Sequence, residues 1–440
     1  MKKHLDTQRP SRRLRSLLGP ALALCMGLSA ETLISNSAMA DEASGKLVML
    51  NWWGGSDLDV ILALEKAFTA HNPKVTFENV ALTGQGDMRG AIRTALLGGQ
   101  KADLMIDAWP AFRDELAKAG LLRDLTPLWT SGKFAESYSD AFKVLGTSKD
   151  GKLYGITFDY GDRSGMYYRP DTLAKVGVPV PKTWDDVMAS IPKFKAANVV
   201  PVALPAQYWA HAEWFETLLL RTAGVDFETK LALHQVPWTS PEVKAALKKF
   251  AELIKAGGIG DANVALATDA DPAADRVLKE GSYGYELIGM WINSRAKSVL
   301  KLKEGTDYGL LQFPALGMGF DDTSMVNTDD WHELASGENK PAADAFLVWY
   351  ASQEAANIVA GSGKAPASNK VDTTLFGPVQ QTAIAAVSKS KLQFVLGDLL
   401  PGDLVDEYRV QLQKFIKDPS DANIDAVTTA IEAKAKSAYK

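Results

Sequence analysis

Short apolar runs alternate along this chain with stretches in which apolar residues return every three or four positions, and the switches fall at glycine, proline or polar clusters. Lys46–Leu50 predicts a strand. Val60–Thr69 predicts a helix that keeps Val60, Leu64, Ala67 and Phe68 on one face, and Pro73 breaks the chain before a second strand at Val75–Val80. Gly84-Gln85-Gly86-Asp87 opens a helix over Met88–Leu97, and Leu104–Ile106 is the third strand. Strand, helix, strand, helix, strand calls for right-handed crossovers onto a mostly parallel sheet, so the fold class is α/β. Downstream, Phe112–Ala119 is helical, Gly151–Tyr160 is a turn feeding an extended segment, and Met166–Tyr168 is a strand. Thr183 caps a helix with early acids at Asp185 and Asp186. Val202–Leu204, Tyr283–Leu287 and Tyr308–Phe313 read as strands, with Gly281 and Gly284 permitting close backbone approach. Ala342–Tyr350 is an apolar helix, and Pro401–Tyr439 holds two amphipathic helices separated at Lys417–Ser420.

The first forty residues follow another pattern. Lys2, Lys3, Arg9, Arg12, Arg13 and Arg15 precede an apolar run from Leu17 to Ala30, and Ala38-Met39-Ala40 is a small-x-small site, so residues 1–40 are expected to be a secretory signal peptide. Ser11-Arg12-Arg13 is similar to a twin-arginine signal. Arg15 and Ser16 stand where that motif takes apolar residues, which favours the general secretory route. The single cysteine, Cys25, lies in this segment behind Leu24, where a lipoprotein signal would place a small residue. Cleavage after Ala40 therefore leaves no thiol for a disulfide, a metal site or a nucleophile. It also removes six basic and two acidic residues, taking the formal charge from −5 to −9, a surface unsuited to nucleic acid or anionic membrane. No later apolar run is long enough to insert in a membrane, no cofactor motif is present, and nothing signals an oligomer, so a monomer is expected. A mature chain of about 400 residues exceeds what one hydrophobic core serves, which predicts two lobes.

Candidate chemistry gathers where strands end. Leu47–Leu50 runs into Asn51-Trp52-Trp53-Gly54-Gly55-Ser56-Asp57, and Asp103–Ile106 runs into Asp107-Ala108-Trp109. Three more clusters follow: Gln207-Tyr208-Trp209 with His211, Glu213 and Trp214; Glu286 to Asn293 around Trp291; and Asn327-Thr328-Asp329-Asp330-Trp331-His332. An indole face covers the C–H side of a sugar ring while carboxylates and amides take its hydroxyls, and open α/β sheets collect ligands at their strand ends. Any one of these tryptophans is as readily core, and any one acid a helix cap. Gly84-x-Gly86 follows the second strand without the further glycine of a dinucleotide fingerprint. A glycosidase would need two carboxylates across one bond; Asp107 with Asp330, or Asp159 with Glu286, could be so placed, but neither pair has a sequence signature. His71, His211, His234 and His332 lack metal-ligand spacing.

The order of pieces resembles the family 1 extracellular solute-binding proteins of ABC importers, the carbohydrate-binding group that includes maltose- and glucose-binding proteins. The resemblance rests on Trp52-Trp53 after the first strand, Gly86-Asp87-Met88-Arg89, Ala102-Asp103, and Ala119-Gly120-Leu121-Leu122 with Leu125. It continues through Gly151–Gly155, Met166-Tyr167-Tyr168-Arg169, Pro181–Asp185 and Trp349–Ala355, covering essentially the whole mature chain. It implies a two-lobed periplasmic-binding-protein fold, type II-like, with a ligand cleft between lobes and several hinge crossings, near Ile156, Phe313 and Gly363–Asn369. The lobes would be 41–156 with 314–365 and 157–313 with 366–440. Carried over by position, the ligand-binding residues are Trp52, Trp53, Gly55, Asp57, Asp87, Asp107, Trp109, Asp159, Arg163, Tyr208, Trp209, Trp291, Asp329, Asp330 and Trp331. Asp398 and Asp403 offer a last contact, and Arg163 either touches ligand or holds an acid. The implied function is capture of a mono- or short oligosaccharide in the periplasm of a Gram-negative bacterium and delivery to ABC permease subunits, without catalysis or cofactor. The chain departs from the family at Asn327–His332, where relatives carry a glycine- and serine-rich segment; a polyol or an aminosugar is the alternative cargo, and a secreted carbohydrate-active enzyme the more distant one.

Overall fold

The computed structural model describes residues 43–82 and 88–440; the expected leader, the Gly84–Gly86 turn and Asp87 lie outside the described residues. The strands are β1 (Gly45–Asn51), β2 (Val75–Ala81), β3 (Leu104–Asp107), β4 (Ile156–Asp162), β5 (Met166–Tyr168), β6 (Val200–Ala203), β7 (Tyr283–Leu287), β8 (Gly309–Leu311), β9 (Thr323–Glu333), β10 (Ala365–Pro366) and β11 (Lys391–Phe394). Among the described residues they form two sheets. One has the order β10-β4-β9-β3-β1-β2, with β11 also paired to β9, and the other β6-β7-β5-β8.

The expected parallel unit is present: β1 lies between β2 and β3 and parallel to both, with the helices Gly55–His71 and Met88–Leu97 as crossovers. Beyond β3 the sheet turns mixed, because β9 pairs antiparallel with β3 and β4, and β10 antiparallel with β4. Those strands come from chain passages between the two sheets. The first passage runs from β4 to β5 over Arg163–Gly165, after Ile156 has opened β4; the second runs from β8 to β9 through Phe313; the third follows β10. The last two helices, Gly402–Lys417 and Asp421–Ala438, then return to the second sheet's side, where Leu404, Tyr408, Phe415, Ile424 and Ile431 join the core of Trp214, Trp238 and Phe250.

Local chemistry explains several boundaries. Thr183 accepts the Asp186 N–H and Asp186 answers the cap backbone, a capping box that starts the helix Trp184–Ala196. Gly284 is required by close approach, since a Cβ there would stand 2.6 Å from the Pro201 carbonyl and 2.7 Å from the Phe194 ring. The stretch around Phe215–Leu220 extends into a helix from His211 to Ala232, kinked at Gly224, where the Phe320 ring occupies the space a Cβ would need.

Glu228, in that helix, is fully buried and neither carboxylate oxygen has a partner. Burial, with nearby Glu216 adding to it, pushes its carboxyl well above the ordinary 4.5. A raised acid contributes stability that is complete below 4.5 and is lost as pH climbs through the folded-state value. Thermal melts should therefore show the protein losing stability from pH 5 to pH 8, with Glu228→Gln losing less over that window. Parallel pH profiles for the two proteins would contradict a buried, neutral Glu228.

Candidate ligand cavity

Because β1 and β3 are parallel neighbours, their exits lie side by side. Trp52 stacks on Trp109 at 5.1 Å and 22°, donates from Nε1 to the Ile106 carbonyl at 2.9 Å, and meets Trp53 edge-on at 5.7 Å. Asp57 stands in the first turn of the helix that follows. Facing this wall, on the side of the second sheet, are Tyr208, Trp209 and Trp291, the two indoles 5.7 Å apart. The Arg163 guanidinium lies over Trp291 at 4.6 Å and Trp209 at 5.4 Å and is bonded to Glu213. Burial pushes the Glu213 carboxyl up to about 7 although Arg163 pulls it down.

Asp159 of β4, Asn327 and Asp329 of β9, and Lys364 just before β10 form the floor between the walls. The Lys364 ammonium is 2.9 Å from Asp159, 3.1 Å from Asp57 and 4.0 Å from Asp329. Burial alone would lower it, but the three carboxylates raise it above the ordinary lysine value, so it stays charged. Burial and then Asp159 lift the Asp329 carboxyl well above the usual range, against Lys364. At the far end Arg89 lies over Trp109 at 5.4 Å and donates to the Gly397 carbonyl at 3.2 Å. Asp398, raised by burial, is opposed there by the charges of Arg89, Arg163 and Arg409. Together these groups enclose about 940 Å³.

Of the residues named from sequence, Trp52, Trp53, Asp57, Trp109, Asp159, Arg163, Tyr208, Trp209, Trp291 and Asp329 line this cavity, as do Asp398 and Asp403. Four described ones do not. Gly55 opens its helix at φ 55° without reaching the cavity. Asp107 turns toward His332 Nε2 at 3.3 Å and accepts the Trp109 N–H at 3.0 Å, so it shapes the wall from behind. Strand alternation on β9 separates Asp330 from Asp329, and Asp330 is bonded to Arg113 at 3.1 Å. Trp331 dives into the core among Phe158, Phe346 and Tyr350. The Asn327–His332 departure thus delivers only Asn327 and Asp329 to the cavity. Sequence reasoning missed Lys364, Arg89 as a wall residue, and Arg409. Lys364 sits in Gly361-Ser362-Gly363-Lys364 with no spacing relation to the acids it serves.

Two α/β layers joined by several chain passages, with aromatic walls facing across a charged floor, make up the architecture of a protein that encloses a small solute. The chain belongs to the family of bacterial extracellular solute-binding proteins, whose model matches residues 59–357. Membership makes it a binding protein and not a catalyst. Among the described residues no helix is long and apolar enough to cross a membrane. Its relatives include a probable sugar-binding periplasmic protein of Mesorhizobium japonicum, 26% identical over 93% of this chain and 98% of that one. Among solved structures, the bacterial solute receptor AcbH, with an exclusive preference for β-D-galactopyranose, superposes with a TM-score of 0.80 at 21% identity, covering 90% of this chain and 100% of that one. A chitin oligosaccharide binding protein follows at 0.78 and 18%, covering 90% and 99%.

Proposed function

We propose that the protein is the periplasmic substrate-binding component of an ABC importer, capturing a mono- or short oligosaccharide between its lobes and handing it to membrane permeases. One observation carries the reading: indole pairs face each other across the cavity, Trp52 with Trp109 and Trp209 with Trp291, and ionisable hydrogen-bonding groups lie between them. Ring C–H faces pack on the indoles while charged groups take hydroxyls, each such bond contributing about 1.5–3 kcal/mol once dry. The volume stands near the top of the roughly 300–1,000 Å³ range of small-molecule sites, room for more than one pyranose. The sugar-binding names of the relatives support the same cargo. On this reading the lobes meet at the three chain passages, and ligand touching both lobes favours the closed arrangement. Closed lobes present the composite surface that permeases read.

Titration of the mature protein with neutral mono-, di- and trisaccharides, polyols and aminosugars, followed by tryptophan fluorescence, should give one saturable response among the sugars, with the sugar recovered unchanged. Response to a polyol or aminosugar alone would move the cargo to that class; a recovered cleavage product would defeat the transport reading.

A further inference from the structure

Lys364 is a buried charge at a junction of chain segments. It precedes β10, whose Ala365 and Pro366 pair with Tyr160 and Asp159 of β4, and β4 in turn pairs along β9, which carries Asp329. Its side chain is 5% exposed and what remains lines the cavity. An ammonium has three N–H donors. Asp159 and Asp57 stand at hydrogen-bond length, 2.9 and 3.1 Å, whereas the nearest Asp329 oxygen is at 4.0 Å, beyond it. The gap between Nζ and Asp329 thus has a charged donor on one side and a carboxyl oxygen on the other. The Trp53 and Phe158 rings lie 5.0 and 5.8 Å from the ammonium and add cation–π attraction to it.

A hydroxyl suits this gap because its oxygen accepts from the ammonium while its hydrogen is donated to an Asp329 carboxyl oxygen. An anionic oxygen would face Asp57, Asp159 and Asp329 together, and a ligand ammonium would face Lys364. We propose that Lys364 and Asp329 form the anchoring subsite for one hydroxyl of the ligand, read from both sides, which makes Lys364 a specificity-determining residue. The proposal rests on the carbohydrate reading above. It also explains how occupancy reaches the hinge, since the hydroxyl joins β9 to the segment entering β10 at the level where both pair with β4.

The test uses the sugar that binds in the panel, together with its set of monodeoxy analogues, against wild type, Lys364→Met and Asp329→Asn. Wild type should lose about 10- to 100-fold in affinity for one deoxy analogue. Lys364→Met should bind the parent sugar that much more weakly, yet bind parent and that one analogue alike, and Lys364→Arg should recover part of the discrimination. If Lys364→Met does not fold, Asp329→Asn decides by losing discrimination at the same position. A uniform loss across all analogues in these variants would mean a structural role only and overturn the subsite. Binding of the parent by Lys364→Met at wild-type affinity would overturn it as well. If no sugar binds wild type, the carbohydrate reading fails first and the subsite falls with it.

Discussion

Arg113→Met is expected to destabilise the protein by about 3–5 kcal/mol, the usual consequence of stripping one partner from a buried ion pair. Arg113 and Asp330 side chains are each 5% exposed and 3.1 Å apart. The guanidinium also donates to the Leu145 carbonyl at 2.6 Å, the Thr147 carbonyl at 3.4 Å and Ser148 Oγ at 3.3 Å, so it pins the 145–148 turn to the sheet. Removing it leaves a carboxyl already raised by burial with His332 as the remaining cation and Asp107 opposing it. Urea midpoints measure the loss, and Arg113→Met with Asp330→Asn should recover part of it, because the uncompensated charge is gone. Since Asp330 does not line the cavity, Asp330→Asn alone should leave sugar affinity unchanged. A stability loss under about 1 kcal/mol would mean the pair is better solvated than its burial implies.

Asp330 also illustrates what sequence could and could not supply. The unit from β1 to β3 and its crossover helices were legible because period and breakers agree there, and the adjacent exits of β1 and β3 bring Trp52, Trp53, Asp57 and Trp109 to the lining of one cavity. The polar run Asn327–His332 was legible as unusual but not as a strand. Once it is β9, alternation sends Asp329 to the cavity and Asp330 away, and pairing of Asp107 opposite Asp330 buries both beneath the wall. That register depends on long-range partners. Lys364 was hidden for the same reason: its acids come from a helix, β4 and β9, and only the three-dimensional junction makes one lysine their counter-ion. Mixed pairing was hidden too, since a return strand between β3 and β4 has no local signature.

Arg163→Met should cost stability in a pH-dependent way, and that dependence separates the two roles Arg163 could play. Arg163 lies in the first chain passage, and its backbone N–H, bonded to the Met325 carbonyl at 2.8 Å, survives the substitution. Its guanidinium faces Glu213, which burial already holds at about 7. Without the cation that carboxyl rises further. Its contribution is then complete below the ordinary 4.5 and lost as pH climbs through the raised value; wild type stops losing at about 7 while the variant goes on, so the variant's extra deficit should be absent at pH 5 and approach about 1.4 kcal/mol at pH 8. A deficit independent of pH would show that Arg163 does not hold the Glu213 carboxyl down, contrary to the pairing seen here. In Arg163→Met with Glu213→Gln, the charge problem is removed while the Trp209 and Trp291 rings still lack the guanidinium that lies over them. If sugar affinity in that double variant returns to the wild-type value, Arg163 serves only to neutralise Glu213. A persistent loss of about tenfold or more, in a protein whose stability has recovered, assigns the guanidinium to the binding wall itself.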